Sequence, residues 1–357
     1  SFAALNLLFL AHLLYFKNYE ILSEILKKTR FIAICFVCLV ATLVISNLLN
    51  EAVISKKAWQ STLFFVLRYG AIFLALCYFY KLKFFDQNAV FAFLFVGLGI
   101  LSASAIYQFV SSPDAIVFSN NSARGGLSGS LSNRNILGLF MGFGLCLSAV
   151  AIRRPLALKF AALLLFAFFM IFSFSRAAWV GAFCALAFYG ALNLKSLNKK
   201  YLLFTVGFIA LFAVLLALSP SFEQRLAALF SGDSSGRTVI WSYILEMAQE
   251  KPILGYGLGS YINLPGSPVL EHPEYNAPHN LFLEILLYSG ALGLIFYGAI
   301  LFSVFKECVQ SRQFGVLTLM IYLLIDCQFD HGAYLSKEAL SLATILSFLA
   351  YRMRIER

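Results

Sequence analysis

A histidine and an asparagine stand directly in front of a long apolar stretch, in the segment PHNLFLEILLYSGALG at residues 278–293. An unperturbed histidine titrates near neutral pH, so His279 can take up and return a proton during a reaction. Glu284 follows Asn280 by one helical turn. A carboxylate facing lipid would be costly, so we expect Glu284 to face protein and to pair with Arg68 or a tyrosine. The segment predicts a chemical site at the mouth of a membrane helix.

Three arginines are candidates for binding an anion. We expect Arg176 at the tip of a tight hairpin, because the apolar run 158–192 is too long for one helix. Arg237 opens a predicted helix, where its side chain and the backbone N–H groups of the first turn would form a phosphate site. Arg68 lies inside a predicted membrane helix. For each of them, the alternative is an arginine that reaches out to headgroups or solvent.

A small cluster of acidic and basic residues lies near the end of another apolar stretch. Asp326 and Asp330 are four residues apart and would share one face of a helix, and His331 follows them. A metal site is conceivable here, but the chain has no HExxH motif or other spacing typical of metal ligands. We expect an ion pair with one of the arginines instead. Trp241 and Tyr256 complete the predicted substrate contacts, with Asn280, Arg68, Asp330 and Glu284.

The composition defines the class of protein. Of the 357 residues, 61% are hydrophobic and 12% are charged, whereas soluble domains have about 45–50% apolar and about 25% charged residues. We therefore expect an all-α polytopic membrane protein with a single membrane domain over 1–357. The chain begins at Ser1 without an initiator methionine, so we expect that it has lost its start and that the intact protein has twelve membrane helices. Eleven stretches approach the roughly 20 apolar residues of such a helix: 2–16, 31–50, 62–80, 88–110, 135–151, 158–174, 177–192, 201–218, 281–305, 314–329 and 339–351.

The distribution of basic residues predicts the orientation. One alternating set of loops carries seventeen lysines and arginines and the opposite set carries nine. By the positive-inside rule the first set is cytoplasmic, and so is the C-terminus. The net charge of +10 is then a topology signal, and its dispersal over short loops argues against nucleic acid as a partner. The seven cysteines lie in helices or at their cytoplasmic ends, which argues against a disulfide framework.

Two of the opposite loops are long. Residues 111–134 are rich in Ser, Gly and Asn, and we expect them to be mobile or shaped by a ligand. Residues 219–280 form a large loop with two predicted short amphipathic helices, the first from Ser221 and the second from Arg237. The second is expected on the membrane boundary and ends at KPILGYGLGSY. Its predicted apolar face consists of Ile240, Trp241, Ile244, Leu245 and Ala248.

These segments carry a resemblance to a known family. The run GRTVIWSYILEMAQEKPILGYGLGSY, followed by PHNLFLEILLYSGALG, resembles the O-antigen ligase and Wzy-type polymerase superfamily. The signature of that family is His, then Asn, Ser or Gln, nine residues, Gly, two residues, and Gly, Thr or Tyr. It is matched by His279, Asn280, Gly290 and Gly293. The resemblance is strong over 170–300 and extends in topology over the rest.

The resemblance implies a GT-C-like glycosyltransferase of the inner membrane of Gram-negative bacteria, inverting, metal-independent and without a cofactor. Its donor would be a glycan on undecaprenyl diphosphate, and a ligase would transfer it to a sugar hydroxyl of the lipid A core on the periplasmic side. Arg176, Arg237 and His279 match the family's essential residues, and Asp330 matches a late acidic residue. The arginines would stabilise the leaving diphosphate and His279 would be the base.

Other functions stay open at this point. A Wzy-type polymerase would elongate the glycan on its carrier. Polymerases carry an Arg followed by a Gly eleven positions later in two loops, and only the pair Arg225 and Gly236 has this spacing here. An O-linked oligosaccharyltransferase would have a longer C-terminal region. Outside this class, a transporter of lipid-linked glycans would show two repeated halves with broken helices, and no such repeat is recognisable.

Overall fold

The regular secondary structure of the protein is helical throughout the residues that the structure describes. The computed structural model describes residues 2–112, 125–131, 133–193, 227, 236–330 and 334–356. A π-helical turn, Val66–Ala71, joins α4 to α5, and two short 3-10 helices, Ser260–Asn263 and Pro268–Leu270, follow α10. The α-helices are α1 (Phe2–Phe16), α2 (Tyr19–Lys28), α3 (Arg30–Leu49), α4 (Ala58–Phe65), α5 (Ile72–Lys81), α6 (Gln87–Ser111), α7 (Arg134–Ala151), α8 (Leu156–Phe172), α9 (Arg176–Leu192), α10 (Arg237–Glu250), α11 (Leu281–Gln310), α12 (Phe314–Asp326) and α13 (Lys337–Glu356).

Five helical segments in the described part of the chain are long and apolar enough to cross a membrane. They are α3, the continuous segment Ala58–Lys81, α6, α7 and α11. Helices α1, α8, α9 and α12 are apolar but shorter. Ten of the eleven predicted spans fall on helices, and the remaining one, 201–218, lies outside the described residues. The helical membrane class is therefore confirmed, whereas the count of eleven and the GT-C-like fold stay predictions.

The chain divides into two compact units. The first unit comprises Ser1–Val90, Ser235–Leu317 and Cys327–Arg357, and the second comprises Phe91–Ser234 and Thr318–Asp326. Within the first unit, α11 packs along α3, α10 packs on α11, and α13 packs on α5. Within the second, α7 packs against α8 and α9. The predicted site residues are divided accordingly, with Arg176 in the second unit and the others in the first.

The predicted hairpin at 158–192 is confirmed. Helices α8 and α9 are joined by the three residues 173–175, so Arg176 is the first residue of α9. The described part of the Ser/Gly/Asn-rich loop is fixed beside this tip, because the N–H of Leu127 donates to the carbonyl of Phe172 at 2.8 Å. Residues 113–124, on which the prediction of a mobile or ligand-shaped loop mainly falls, lie outside the described residues.

The second predicted amphipathic helix is present as α10. It packs on α11, and its buried residues are Ile240, Tyr243, Ile244 and Ala248. The prediction was wrong for Leu245, which is exposed, because the buried stripe runs through Tyr243 instead. The first predicted helix, from Ser221, lies outside the described residues except for Ala227.

Helix α11 is broken, which the sequence analysis did not predict. Gly290 has φ 62° and ψ −163°, and the chain 252–257 returns from α10 into this break. A Cβ atom at this position would collide with the backbone oxygen of Ile253. Glycine is the residue that combines this left-handed φ with so close an approach of another backbone.

Candidate active site

Asp330 lies between His279 and Arg237 and contacts both. Its Oδ1 is 3.3 Å from His279 Nδ1 and 3.4 Å from an Nη of Arg237. The Asp330 side chain is 5% exposed, against 17% for Arg237 and 24% for His279. The carboxylate is thus buried while both of its partners reach the surface of the site. The predicted ion pair between the acidic cluster and one of the arginines is confirmed for Asp330 and Arg237.

The contacts of His279 determine which ring nitrogen carries the proton. Nδ1 lies 3.3 Å from both the side-chain Oδ1 and the backbone oxygen of Asp330. A carboxylate and a carbonyl oxygen can only accept hydrogen bonds, so Nδ1 must donate. In the neutral imidazole the lone pair is then on Nε2. This arrangement orients a base in the same way as other histidines whose second nitrogen is bonded to a carboxylate.

The backbone of His279 is held in a rarely used conformation. Its φ is 50°, in the left-handed region, which costs a residue other than glycine about 1 kcal/mol. The preceding carbonyl, of Pro278, accepts a hydrogen bond from Trp241 Nε1 at 3.1 Å. Trp241 lies one helical turn after Arg237 on α10. The helix that carries the arginine therefore also holds the peptide that precedes the histidine.

Arg237 is the first residue of α10. The residue before it, Gly236, has φ 79°, and a Cβ atom there would collide with the ring of Tyr275. Arg237 also donates from Nε to the backbone oxygen of Phe329, next to Asp330. Because the first turn of a helix carries partial positive charge, a guanidinium at this place forms a strongly electropositive group. Binding of a phosphate by Arg237 stays a prediction.

Asn280 forms the cap of α11 and also fixes the segment that leads to Asp330. Its Oδ1 accepts the N–H groups of Phe282 and Leu283, both at 3.0 Å. Its Nδ2 donates to the backbone oxygen of Gln328 at 2.9 Å. The amide therefore acts as a scaffold between α11 and the acidic segment. The predicted contact of Asn280 with substrate stays a prediction.

Glu284 faces protein, as predicted. It is 2% exposed, and its Oε1 accepts the backbone N–H groups of Tyr334 and Leu335 at 3.3 and 3.2 Å. The partner is thus the backbone of a tyrosine. This contact ties α11 to the chain that enters α13. Contact of Glu284 with substrate stays a prediction.

Arg176 occupies the first position of α9, in the second unit. It follows Ser175, whose hydroxyl accepts the N–H of Ala178 at 3.4 Å, and Phe174, whose φ is 53°. Its side chain is half-buried. Arg176 and Arg237 are thus each the first residue of a helix, with a left-handed residue two positions earlier for Arg176 and one position earlier for Arg237. Their joint contact with one substrate stays a prediction.

Three other predicted substrate contacts take part in packing. Arg68, in the π-helical turn, lies over the ring of Phe64 at 5.3 Å. Tyr256 is buried and donates its hydroxyl to Glu250 at 2.5 Å, and burial raises the pKa of Tyr256 so that the phenol stays a donor. Trp241 is half-buried, with its ring 6.4 Å from that of Phe329. Of the three, Trp241 lies beside His279 and Arg237.

The other two residues of the predicted acidic cluster, Asp326 and His331, give no test of the predicted ion pair. Asp326 is fully buried at the end of α12, and His331 lies outside the described residues. In the described ranges, three or more His, Cys, Asp or Glu side chains nowhere come together as a group that could hold a metal ion.

Sequence reasoning missed the contacts made by Gly236, Pro278 and Phe329. The last two act through their carbonyl oxygens, which every residue type has, so no side-chain pattern could reveal them. Gly236 had a weak signal, because a glycine directly before a predicted helix often takes a left-handed conformation.

The fold and the site together define a helical membrane protein with an Arg–Asp–His cluster at the starts of two helices. Residues 160–298 match the family model described as O-antigen ligase. This stretch includes Arg176, Arg237 and His279. Residues 160–298 are therefore similar to the O-antigen ligase family, and the family resemblance predicted from the motif is confirmed.

Relatives in Rickettsia agree with this family. Proteins of Rickettsia conorii and Rickettsia felis, both named "Putative polysaccharide ligase", are 31% and 30% identical to the chain over 97 residues. Each match covers 24% of this chain and 24% of the relative. A protein of the same name from Rickettsia typhi is 34% identical over 79 residues, 20% of each chain. The chain thus matches about a quarter or less of the length of these relatives.

Proposed function

We propose that this protein is an O-antigen ligase of the Gram-negative inner membrane. It would transfer a glycan from undecaprenyl diphosphate to a sugar hydroxyl of the lipid A core, on the periplasmic side. The observation that carries the proposal is the Arg237–Asp330–His279 cluster, in which Arg237 and His279 lie at helix starts within the region that matches the family and Asp330 contacts both. The C-terminus would be cytoplasmic, as the basic loops indicate.

His279 would serve as the general base. Its Nδ1–H is oriented by Asp330, so Nε2 can accept the proton of the acceptor hydroxyl. The hydroxyl oxygen forms a bond to the anomeric carbon of the glycan as the bond from that carbon to the phosphate oxygen breaks. The electron pair of the broken bond leaves with undecaprenyl diphosphate. This single displacement inverts the anomeric centre, and Asp330 stabilises the imidazolium that results.

Arg237 and Arg176 would bind the diphosphate. Negative charge grows on the leaving oxygen in the transition state, and guanidinium groups in a partly dehydrated site stabilise it there more than in the ground state. Each arginine begins a helix, so the partial positive charge of the helix end adds to its own. Phe329 and Asp330 keep Arg237 close to the proposed base.

We further propose that the reaction needs no metal, because two arginines can neutralise the leaving group. Transfer by purified protein should then continue in excess EDTA. Loss of transfer in EDTA, with recovery on addition of Mg²⁺ or Mn²⁺, would contradict this part of the proposal. A matched reaction without acceptor would measure donor hydrolysis separately.

Deletion of the gene tests the function itself. A ligase predicts loss of all glycan-bearing core, with long glycans retained on the carrier. Core that bears a single repeat unit would instead indicate a Wzy-type polymerase. Normal lipopolysaccharide with unglycosylated protein targets would indicate an O-linked oligosaccharyltransferase. Carrier-linked glycan trapped on the cytoplasmic side would indicate a transporter.

A further inference from the structure

The break in α11 is filled by another part of the same chain. An unbroken helix would bond the carbonyl of Leu287 to the N–H of Ala291. Here the Leu287 oxygen accepts the N–H of Tyr256 at 2.8 Å, and Ala291 donates to the Pro252 oxygen at 2.8 Å. Both halves of the lost helical bond are replaced by the segment that follows α10.

The next helical bond is replaced in the same way. The Tyr288 oxygen accepts the N–H of Gly257 at 3.0 Å, and Leu292 donates to the Ile253 oxygen at 3.2 Å. Non-helical backbone within a membrane helix is tolerated where protein satisfies its polar groups. The four bonds therefore make the break and the inserted segment mutually dependent.

We call the break at Gly290, together with the inserted residues 251–258, the seat. Polar residues at the end of α3 contact its other side. Asn47 is fully buried, and its Oδ1 accepts the N–H of Leu258 at 2.7 Å. Asn50 donates from Nδ2 to the Gly255 oxygen at 3.2 Å and accepts from Lys251 through Oδ1. Buried amides in an apolar helix are costly unless they have such partners. The seat thus joins α3, α11 and residues 251–258.

The seat is remote from the Arg–Asp–His cluster, but it connects α11, which begins beside His279, to the segment that directly follows α10, which begins at Arg237. Gly290 is nine residues after Leu281, or roughly 14 Å along α11. The inserted segment begins at the end of α10, whose fourteen residues span roughly 20 Å from Arg237. A shift of the seat would consequently move α10 relative to α11.

We infer that this seat positions Arg237 relative to His279, and that Gly290, Asn47 and Asn50 are positioning residues for the reaction. The inference rests on the proposed function, in which Arg237 and His279 must act on the same bond. A misplacement of about 1 Å can cost about a hundredfold in rate. The residues of the seat would thus affect the reaction rate without contacting either substrate.

The first test replaces Gly290 by alanine. The added Cβ collides with Ile253, so the segment must leave the break, and we expect kcat to fall about a hundredfold. Gly298→Ala is the matched control, because it lies on the same helix and a Cβ there has nothing within 4 Å. The assay uses purified, folded protein with an undecaprenyl-diphosphate-linked glycan and lipid A core.

A double-mutant cycle separates positioning from a loss of folded protein. In the wild type we expect Arg237→Lys to lower kcat about tenfold, and in the Gly290→Ala protein less than about twofold, because the arginine is already displaced. A variant that only reduces the folded fraction would leave the cost of Arg237→Lys unchanged.

Asn50→Ala is the second variant, for the case that Gly290→Ala does not fold. It removes the bonds to Gly255 and Lys251 and adds no atoms. We expect a loss of about tenfold in kcat and the same reduced cost of Arg237→Lys. Full activity of Asn50→Ala, or an unchanged Arg237→Lys cost in its background, would overturn the inference. If the wild type formed no product, or Arg237→Lys cost nothing in it, the proposed function would fail instead.

Discussion

The two parts of α11 are built in different ways. Seven of the ten residues 281–290 are buried, but only two of the ten residues 291–300. The first part is capped by Asn280, carries Glu284 and is broken at Gly290. The second part, residues 291–310, continues without a break, and its apolar residues Ile295 and Phe302 are exposed. The first part therefore organises other segments around it, whereas the second has the surface of a helix that faces lipid.

The comparison shows how an apolar helix can carry a polar site. Cys327 and Gln328 are held by Leu281 and Asn280, and the segment after α10 is held by the break. Every polar group named in the first part has a partner in the protein, as a low-dielectric environment requires. The proposed function predicts that changes in the first part affect catalysis far more than matched changes in the second.

The largest effect is expected for His279→Ala. Transfer should fall by about 10² to 10⁴-fold, the usual contribution of a positioned acid or base. Binding of the lipid-linked donor should survive, because in the proposed mechanism the arginines hold the diphosphate. The measurement is kcat together with donor affinity of the folded, inserted protein. Loss of donor binding would show that His279 is part of the anion site.

Asp330→Asn should lower kcat about a hundredfold. The new amide N–H₂ can donate to Nδ1, which would move the histidine proton to Nε2 and remove the base. Asp86→Asn is a suitable control, since Asp86 is exposed and accepts only local bonds at the start of α6. Wild-type kcat for Asp330→Asn would show that the carboxylate does not select the tautomer.

Arg237→Lys should cost about tenfold in kcat. A lysine keeps the charge but cannot grip a phosphate through two parallel N–H groups. We expect Arg176→Lys to behave similarly, and Arg153→Lys, in an exposed loop, to have no effect. Equal activity of all three lysine variants would mean that the arginines supply only a general positive potential.

The smallest effects are expected at two glutamates of α11, one in each part of the helix. Glu284→Ala should lower kcat about fivefold, because residues 334–335 lose their acceptor. Glu284→Gln should be close to wild type, since its Oε1 can accept the same bonds. Glu307, which is buried in the second part and pairs with Arg354 at 3.4 Å, should tolerate alanine with less than about a twofold change in kcat. A Glu284→Gln variant as impaired as Glu284→Ala would assign a charge or proton-transfer role to Glu284.

Side-chain patterns predicted the local structure of the site well. The length of the apolar run placed Arg176 at a hairpin tip, and helical spacing placed Arg237 at the start of α10. The burial of Glu284 followed from the cost of exposing a carboxylate to lipid. These predictions succeeded because each depends on residues close together in the sequence.

Contacts between distant segments were less predictable. The sequence indicated that Asp330 would pair with an arginine, but not that it would orient His279, 51 residues earlier. The seat at Gly290 consists largely of backbone hydrogen bonds, which leave no side-chain pattern. Gly290 was recognised as part of the signature, but its left-handed φ and the approach of Ile253 became visible only in the fold.

The most direct test of the account is His279→Gln in the purified protein. A glutamine can hydrogen-bond the acceptor hydroxyl but cannot take its proton near neutral pH. The account predicts a folded protein that binds the undecaprenyl-diphosphate-linked glycan normally and loses transfer to lipid A core by at least about a hundredfold. Substantial transfer by a well-folded His279→Gln variant would contradict it, because His279 would then only orient the acceptor.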